Sequence, residues 1–289
     1  MKKNLNILVT VLIFFVGGYL LLQVLSDTRT REVAQIPQQF FPEISTEYVW
    51  GKPSYDMFPD IVKPEYQGLE KAGEYLVDTD EVFVVKENAS TFVYPKSIMS
   101  FHHIVNDVLD GKPVAITYCL LADVAVSFAR GDMELGVQGP LYKGDLVMYD
   151  KKTKSSILQL TGQIYDGQLK GGILPRALIM KRMVWGEAKK LSNVRVLPPQ
   201  KDMAFYKDFY MKRKDATVGV NSLTSKNLKV DDRLPPFTKG VGVMANNKLT
   251  YYPQRDSAAE KQFIDEGATV TESYWYVWAA LYPQTSIEK

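Results

Sequence analysis

The sequence predicts an α+β protein that is mostly β: a single globular β-rich domain behind one N-terminal transmembrane helix. From Glu81 onward, short apolar runs alternate with turn residues, which is typical of strands joined by hairpins. Near the N-terminus, the run from Ile7 to Leu25 is apolar on every face and long enough to cross a bilayer. We therefore divide the chain into an anchor (1–26), an arm rich in proline and aromatic residues (27–75) and a β-rich domain (76–289).

The first segment predicts an uncleaved, single-pass anchor rather than a secretory signal peptide. Its apolar run is long, and the following LLLQVLSDT offers neither small residues for cleavage nor a cysteine for lipidation. Lys2 and Lys3 favour a cytoplasmic N-terminus, although Arg29 and Arg31 follow the run on its other side. We expect a protein of the cytoplasmic (plasma) membrane whose soluble domain faces the periplasm or the cell exterior.

The arm combines prolines with aromatic residues. Proline at this density breaks regular elements, whereas a bare disordered linker would lack the aromatics. We expect an extended arm that packs along the domain. Its prolines are Pro37, Pro42, Pro53, Pro59 and Pro64, and its aromatic residues include Phe40, Phe41, Tyr48, Trp50 and Tyr55.

The domain shows five candidate strand pairs and one short helix or turn at 97–104. Asp110-Gly111 and Asn246-Asn247 tolerate the positive φ of tight hairpin turns. The candidate pairs are VFVVK with TFVYP, HIVNDVL with VAITYCLL, VAVSFAR with LGVQG, LVMYD with SILQLTGQ, and GVGVMA with KLTYYP. A weaker echo links MVWGEAKKLSNVRVLP (183–198) with YVWAALYPQTSIE (276–288), each of which resembles a helix headed by a tryptophan and followed by a β-like segment; two instances alone do not establish a duplication.

Composition excludes several classes of protein. A net charge of +2 gives no concentrated basic face for nucleic acid. One cysteine excludes an internal disulfide, and two histidines leave few soft or imidazole ligands for a metal. No glycine-rich phosphate loop precedes a helix.

Three stretches resemble a known family. YPKSIMSFHHIVNDVLDGKPVAITYCLL, GVQGPLYKGDLVMYDKKTKS and LQLTGQIYDGQLKGG follow, in order and spacing, the pattern of the prokaryotic family called domain of unknown function 3179. The resemblance covers about residues 78–200, and a W..W…YP.T pattern recurs at 275–285. It implies no particular chemistry, because the family has none established. Pattern positions of unknown role are Asn106, Asp107, Tyr118, Gly139, Tyr142, Tyr149, Asp150 and Gln159.

The departures from that pattern define the candidate site. The family's TYCPLC reads TYCLLA here, so Cys119 remains while Ala122 replaces the second cysteine. The family's HEIVND reads HHIVND, which adds His103 to His102. Cys119 is either a buried structural thiol, a copper or zinc ligand with one histidine, or a nucleophile activated by an imidazole.

Two functions follow from these alternatives. The first is a non-catalytic binding or accessory subunit of a membrane or envelope complex, with a protein partner and no cofactor. The second is a copper-linked, metal-linked or thiol-redox module that uses Cys119 with His102 or His103.

Overall fold

Strands dominate the structure, which confirms the prediction of a mostly β fold. The computed structural model describes residues 33–214, 228–254 and 256–288. The predicted anchor (1–26) lies outside these ranges. Within them, no helix has both the length and the apolar character needed to cross a bilayer.

The elements follow one another in this order. The strands are β1 Val49–Trp50, β2 Ile61–Val62, β3 Glu81–Glu87, β4 Ser90–Pro95, β5 Ile104–Leu109, β6 Lys112–Cys119, β7 Val124–Ala129, β8 Leu135–Tyr142, β9 Asp145–Asp150, β10 Ser156–Leu158, β11 Ile164–Asp166, β12 Met180–Val184, β13 Val194–Val196, β14 Lys239–Ala245, β15 Lys248–Tyr252, β16 Thr269–Tyr274 and β17 Ser286–Ile287. The α-helices are α1 Leu69–Gly73, α2 Lys96–His102, α3 Trp185–Ala188, α4 Met203–Lys214, α5 Ser257–Asp265 and α6 Trp275–Leu281, and 3-10 turns cover Gln38–Phe40 and Thr46–Tyr48.

These strands form four sheets. Sheet I has the order β1-β8-β9-β10-β11, and sheet II has the order β2-β5-β6-β7. Sheet III is β12-β3-β4-β13, and sheet IV is β16-β14-β15-β17. The largest apolar cluster joins sheet I, the inner face of sheet II and the tryptophans of α6.

Four of the five predicted strand pairs are confirmed: β3–β4, β5–β6, β9–β10 and β14–β15 are antiparallel neighbours. Asp110, Asn246 and Asn247 adopt the positive φ that their turns require. The fifth prediction, a hairpin of VAVSFAR with LGVQG, is wrong. Both strands exist, but β7 pairs with β6 in sheet II, whereas β8 pairs with β9 and β1 in sheet I. A three-residue turn signal could not reveal that the chain changes sheets there.

The described part of the arm completes two sheets instead of forming one of its own. Val49 and Trp50 add β1 to the edge of sheet I, and Ile61 and Val62 add β2 parallel to β5 in sheet II. Ile36 is buried in the core, so the arm is held by apolar packing as well as by strand pairing.

Sheets III and IV share one topology. In each, an antiparallel hairpin is flanked by an antiparallel strand on one side and a parallel strand on the other. In each, a helix that begins with tryptophan, at Trp185 or Trp275, joins those two flanking strands. We call β3, β4, β12, α3 and β13 repeat 1, and β14, β15, β16, α6 and β17 repeat 2.

The registers of the two repeats also agree. Both hairpins have two-residue turns, and Pro95 and Pro253 occupy the same position after them. Two backbone hydrogen bonds of repeat 1 have equivalents in repeat 2. At the start of the helix, Trp185 N–H donates to Asp80 O at 2.8 Å, as Trp275 N–H donates to Thr238 O at 2.9 Å. After the parallel strand, Leu197 N–H donates to Val93 O at 2.8 Å, as Glu288 N–H donates to Tyr251 O at 3.0 Å. The two echoing regions thus belong to a structural repeat, although the structure pairs Trp185 with Trp275, three residues before the Trp278 that the echo in the sequence matched. Strands β5 to β11 lie between β4 and β12 of repeat 1, whereas α5 alone connects β15 to β16 in repeat 2.

Candidate functional site

Cys119 ends β6 inside the core. Its residue is 1% exposed, and its Sγ accepts a hydrogen bond from Ala122 N–H at 3.4 Å. Burial, reinforced by the nearby Asp145 carboxylate, raises the pKa of the thiol to about 12. The thiol is therefore protonated at neutral pH, which is unfavourable for a nucleophile because the thiolate is the reactive form.

The histidine pair lies at the end of α2, not on a strand. His102 is the last helical residue and His103 follows it with φ 61°. His102 Nδ1 donates to Pro59 O at 2.6 Å, so its Nε2 accepts from the Tyr206 hydroxyl at 2.8 Å. His103 Nδ1 donates to the Tyr118 carbonyl at 2.8 Å. Burial lowers the pKa of His102, so this ring is neutral near pH 7.

These bonds direct the histidines toward the arm, α4 and the backbone of β6. Cys119 instead packs among apolar residues that include Ile104, Ala115 and Val124. In the part of the chain that the structure describes, no three His, Cys, Asp or Glu side chains are arranged to hold a metal ion.

Four residues after Cys119, the turn between β6 and β7 places a buried carboxylate that the sequence reasoning missed. Asp123 accepts hydrogen bonds from Arg182 Nη1 at 2.8 and 3.0 Å and from the Tyr118 hydroxyl at 2.9 Å. Lys96 lies 3.6 Å and Lys239 3.8 Å from the same carboxylate. Burial alone would raise the pKa of Asp123, but the three cations hold it below its ordinary value.

This Asp123 cluster forms where the two repeats meet. Arg182 of repeat 1 and Glu272 of repeat 2 occupy equivalent positions and form an ion pair at 2.9 Å. Glu81 and Lys239 are also equivalent, and the lysine helps to lower the pKa of that glutamate. Equivalent positions thus carry opposite charges, so the repeats attract each other where identical charges would repel.

The charges of the Asp123 cluster are engaged with one another. Lys96 donates to Glu81 at 2.8 Å, and burial lowers its pKa despite the two carboxylates beside it. An ion-paired ammonium is a poor nucleophile, and a carboxylate that neighbouring cations keep ionised is a poor general base. The cluster is built to join segments of the fold. The sequence signal that could have pointed to it is the opposite charge of Arg182 and Glu272, which stand three residues before the tryptophans that begin α3 and α6.

Four of the family-pattern positions hold the arm in place. Asn106 Nδ2 donates to Asp60 at 2.8 Å, and the Tyr149 hydroxyl lies 2.8 Å from both carboxylate oxygens of Asp56. The Tyr142 hydroxyl accepts from the backbone N–H of Ser45 at 3.3 Å. Gly139 has φ 105°, and a Cβ there would lie 3.0 Å from the backbone nitrogen of Ser54. Glycine therefore permits both the bend of β8 and the close approach of the arm.

A fifth position, Asp107, also contacts the arm, because it accepts from the Tyr66 hydroxyl as well as from Val108 N–H. The remaining three positions hold strands and turns, and Tyr118 donates to Asp123. Asp150 accepts from the backbone and hydroxyl of Thr153 at 2.9 and 2.7 Å, as an aspartate that starts a turn does. Gln159 donates to Thr117 Oγ1 at 3.1 Å and to Val124 O at 3.0 Å, which connects sheets I and II.

Comparison with known proteins gives one finding. The family model described as "Protein of unknown function (DUF3179)" matches residues 55–270, which is most of the chain. The match begins in the arm at Tyr55, just before Asp56 and Asp60, and ends before the closing 275–285 segment. No curated protein and no solved structure matches significantly. The chain belongs to the DUF3179 family.

Proposed function

We propose that this protein is a membrane-anchored, extracytoplasmic and non-catalytic subunit that binds a partner in a membrane or envelope complex. The observation that carries the proposal is the use of the family-pattern residues. Asn106, Asp107, Tyr142 and Tyr149 fasten the arm, while Gln159 connects sheets I and II. Polar side chains engaged in this way build a scaffold that displays a surface.

The arm supplies a surface suited to contact. Trp50, Tyr55 and Met57 are exposed by 43%, 45% and 54%, on a stretch of eight consecutive exposed residues (50–57). The backbone beneath them is fixed, because Ser54 N–H donates to Gln138 O at 2.8 Å and Asp56 N–H donates to Val137 O at 3.1 Å. Large aromatic side chains on a fixed backbone lose little entropy on binding, which is why they dominate interface energetics. We call residues 50–57 the arm loop.

The first experiment purifies the full chain from its native membranes in mild detergent. We expect a stoichiometric partner to copurify with the wild type, and the Trp50→Ser/Met57→Ser variant to lose it. Ile173→Ser is the matched control, because Ile173 is 48% exposed but lies outside the arm. A monodisperse single chain with no copurifying protein would exclude the proposal.

The tryptophans allow a direct measurement on the purified complex. Trp185, Trp275 and Trp278 are buried, so acrylamide should quench Trp50 in preference to the other three. We expect Trp50 to be protected in the complex and quenched after the partner is removed. Equal quenching in both states would show that the arm loop is not the contact surface.

A second experiment tests the membrane topology. We expect the full chain to resist extraction by alkaline carbonate, and a C-terminal alkaline phosphatase fusion to be active. Deletion of residues 1–26 should release the protein from the membrane. An inactive phosphatase fusion would place the domain on the cytoplasmic side and refute this part of the proposal.

A further inference from the structure

The two repeats differ at the outer edge of their parallel strands. In repeat 1, Gln67 of the arm lies beside β13 and forms an antiparallel bridge with Val196. Gln67 N–H donates to Val196 O at 2.9 Å, and Val196 N–H donates to Gln67 O at 2.8 Å. Both backbone groups with which Val196 faces away from its sheet are therefore paired.

Ile287 of β17 is the residue of repeat 2 that is equivalent to Val196. Its neighbour Glu288 donates its N–H to Tyr251 O of β15 at 3.0 Å. Successive residues of a strand direct their N–H and C=O groups to opposite sides, so those of Ile287 face away from β15. In the part of the chain that the structure describes, no hydrogen bond reaches either group, and β17 is the last strand of sheet IV.

A strand edge with unpaired N–H and C=O groups is a template for another extended segment. The side chains around Ile287 favour contact through the backbone, because Ile287 is half-buried and its neighbours Ser286 and Glu288 are exposed. The Ser286 hydroxyl is already used within the sheet, since it donates to Leu249 O at 3.2 Å. The incoming segment is therefore recognised through one residue that both donates and accepts a backbone hydrogen bond, which excludes proline at that position.

The size of this edge favours a segment of a partner protein over a second copy of the chain. Strand β17 has two residues, so pairing two copies edge to edge would bury little area, whereas a stable interface buries about 1,200–2,000 Å². The described segment that leads into β14 reaches the start of β17, where Arg233 donates to Thr285 O at 2.8 Å. A partner that is already bound at another surface adds an extended segment at little further cost, because the second contact is intramolecular.

We propose that the β17 edge at Ile287 binds an extended, antiparallel segment of the partner protein, as the β13 edge at Val196 binds the arm. This inference rests on the proposed function, because it requires a protein partner. The partner's residue opposite Ile287 takes the place that Gln67 takes opposite Val196. The edge thereby adds a pair of backbone hydrogen bonds to the contact made by the arm loop and fixes the direction of the bound segment.

The first experiment compares Ile287→Pro with its matched control, Ile287→Ala, in the full chain. Proline removes the outward N–H, whereas alanine keeps it, and both variants lose the isoleucine side chain. Proline is tolerated on an edge strand where its position faces solvent, so the two variants should unfold at the same Tm. We expect Ile287→Pro to bind the protein that copurifies with the wild type about tenfold more weakly than Ile287→Ala does, because a backbone hydrogen bond is lost. Equal affinity of the two variants overturns the proposal.

The second experiment needs no variant and measures amide hydrogen exchange of the full chain in detergent, resolved to single residues by fragmentation mass spectrometry. In the free chain, we expect the Ile287 amide to exchange at least about tenfold faster than the Val196 amide, which is bonded to Gln67. In the complex, exchange at Ile287 should slow about tenfold, while exchange at Val196 stays the same. Protection of Ile287 in the free chain would show that this chain or a second copy covers the edge, which overturns the proposal.

Failure of this inference and failure of the proposed function give different results. If no protein copurifies with the wild type, the proposed function fails and the binding edge fails with it. If a protein copurifies and is lost from Trp50→Ser/Met57→Ser, but Ile287 exchanges equally in the free and the bound chain, the proposed function stands. In that case the β17 edge is not a contact surface, and this inference alone is overturned.

Discussion

Replacing Asp145 with asparagine tests how a buried carboxyl group controls stability. Asp145 is 0% exposed, and burial raises its pKa from 3.8 to about 7. A carboxyl group whose folded-state pKa is raised contributes stability at low pH that is lost as pH rises through the folded value. Each pKa unit corresponds to 1.36 kcal/mol, so the group costs the folded state at most about 4 kcal/mol above pH 7. Between pH 5.5 and 8.5, we expect the free energy of unfolding to fall by about 2 kcal/mol through this group.

Asparagine keeps an oxygen for the backbone N–H groups and carries no charge, so the variant should not show this loss. The measurement is urea unfolding of wild type and Asp145→Asn at both pH values. For each protein we take the change in the free energy of unfolding between the two pH values, and we then compare these two changes. That comparison cancels the opposite trend from His102, whose lowered pKa destabilises the fold in acid. Asp150→Asn, at the other end of β9, is the control and should be destabilised, because it weakens the bonds to Thr153. If Asp145→Asn were destabilised equally at pH 5.5 and 8.5, the carboxyl would not be protonated in the folded state.

Three further predictions concern the repeat contact, the arm and the thiol. Arg182→Met should cost about 3–5 kcal/mol in urea unfolding, because it leaves Asp123 buried with weaker compensation; a loss below 1 kcal/mol would show that the cluster does not join the repeats. Tyr149→Phe should cost about 0.5–1.5 kcal/mol and speed proteolysis at the arm loop, since it removes the hydroxyl that holds the exposed Asp56; unchanged proteolysis would mean that other contacts hold the arm. Cys119 should react with a thiol reagent only after denaturation, because it is buried and protonated; rapid reaction of the folded protein would refute this.

Local signals gave most of the strands correctly. Asp110-Gly111 and Asn246-Asn247 specify tight hairpins through φ values that their residues tolerate, and the adjoining apolar runs specify strands. The failure came at β7 and β8, where a similar turn signal separates strands of different sheets. Which sheet a strand joins depends on the residues against which it packs, and these residues are remote in sequence.

The candidate site was predicted only in part. The sequence directed attention to Cys119 and the histidines because their chemistry is distinctive. The structure places Cys119 in the apolar core and directs the histidines to backbone and tyrosine partners. Apart from the opposite charges of Arg182 and Glu272, the sequence offered no sign of the Asp123 cluster or of the buried Asp145, because ordinary charged residues acquire unusual properties only through burial and distant partners.

By itself, the sequence determined the β-rich class, the tight turns, the echo of two tryptophan-led segments and membership of the DUF3179 family, because each rests on local pattern or on ordered motifs. Tertiary structure alone decided that the echo is a structural repeat and that the polar pattern residues fasten the arm and the strands. It also decided that Arg182 and Glu272, 90 residues apart, face each other with opposite charges. Charge interactions depend on distance and burial in space, and neither can be read from the order of residues along the chain.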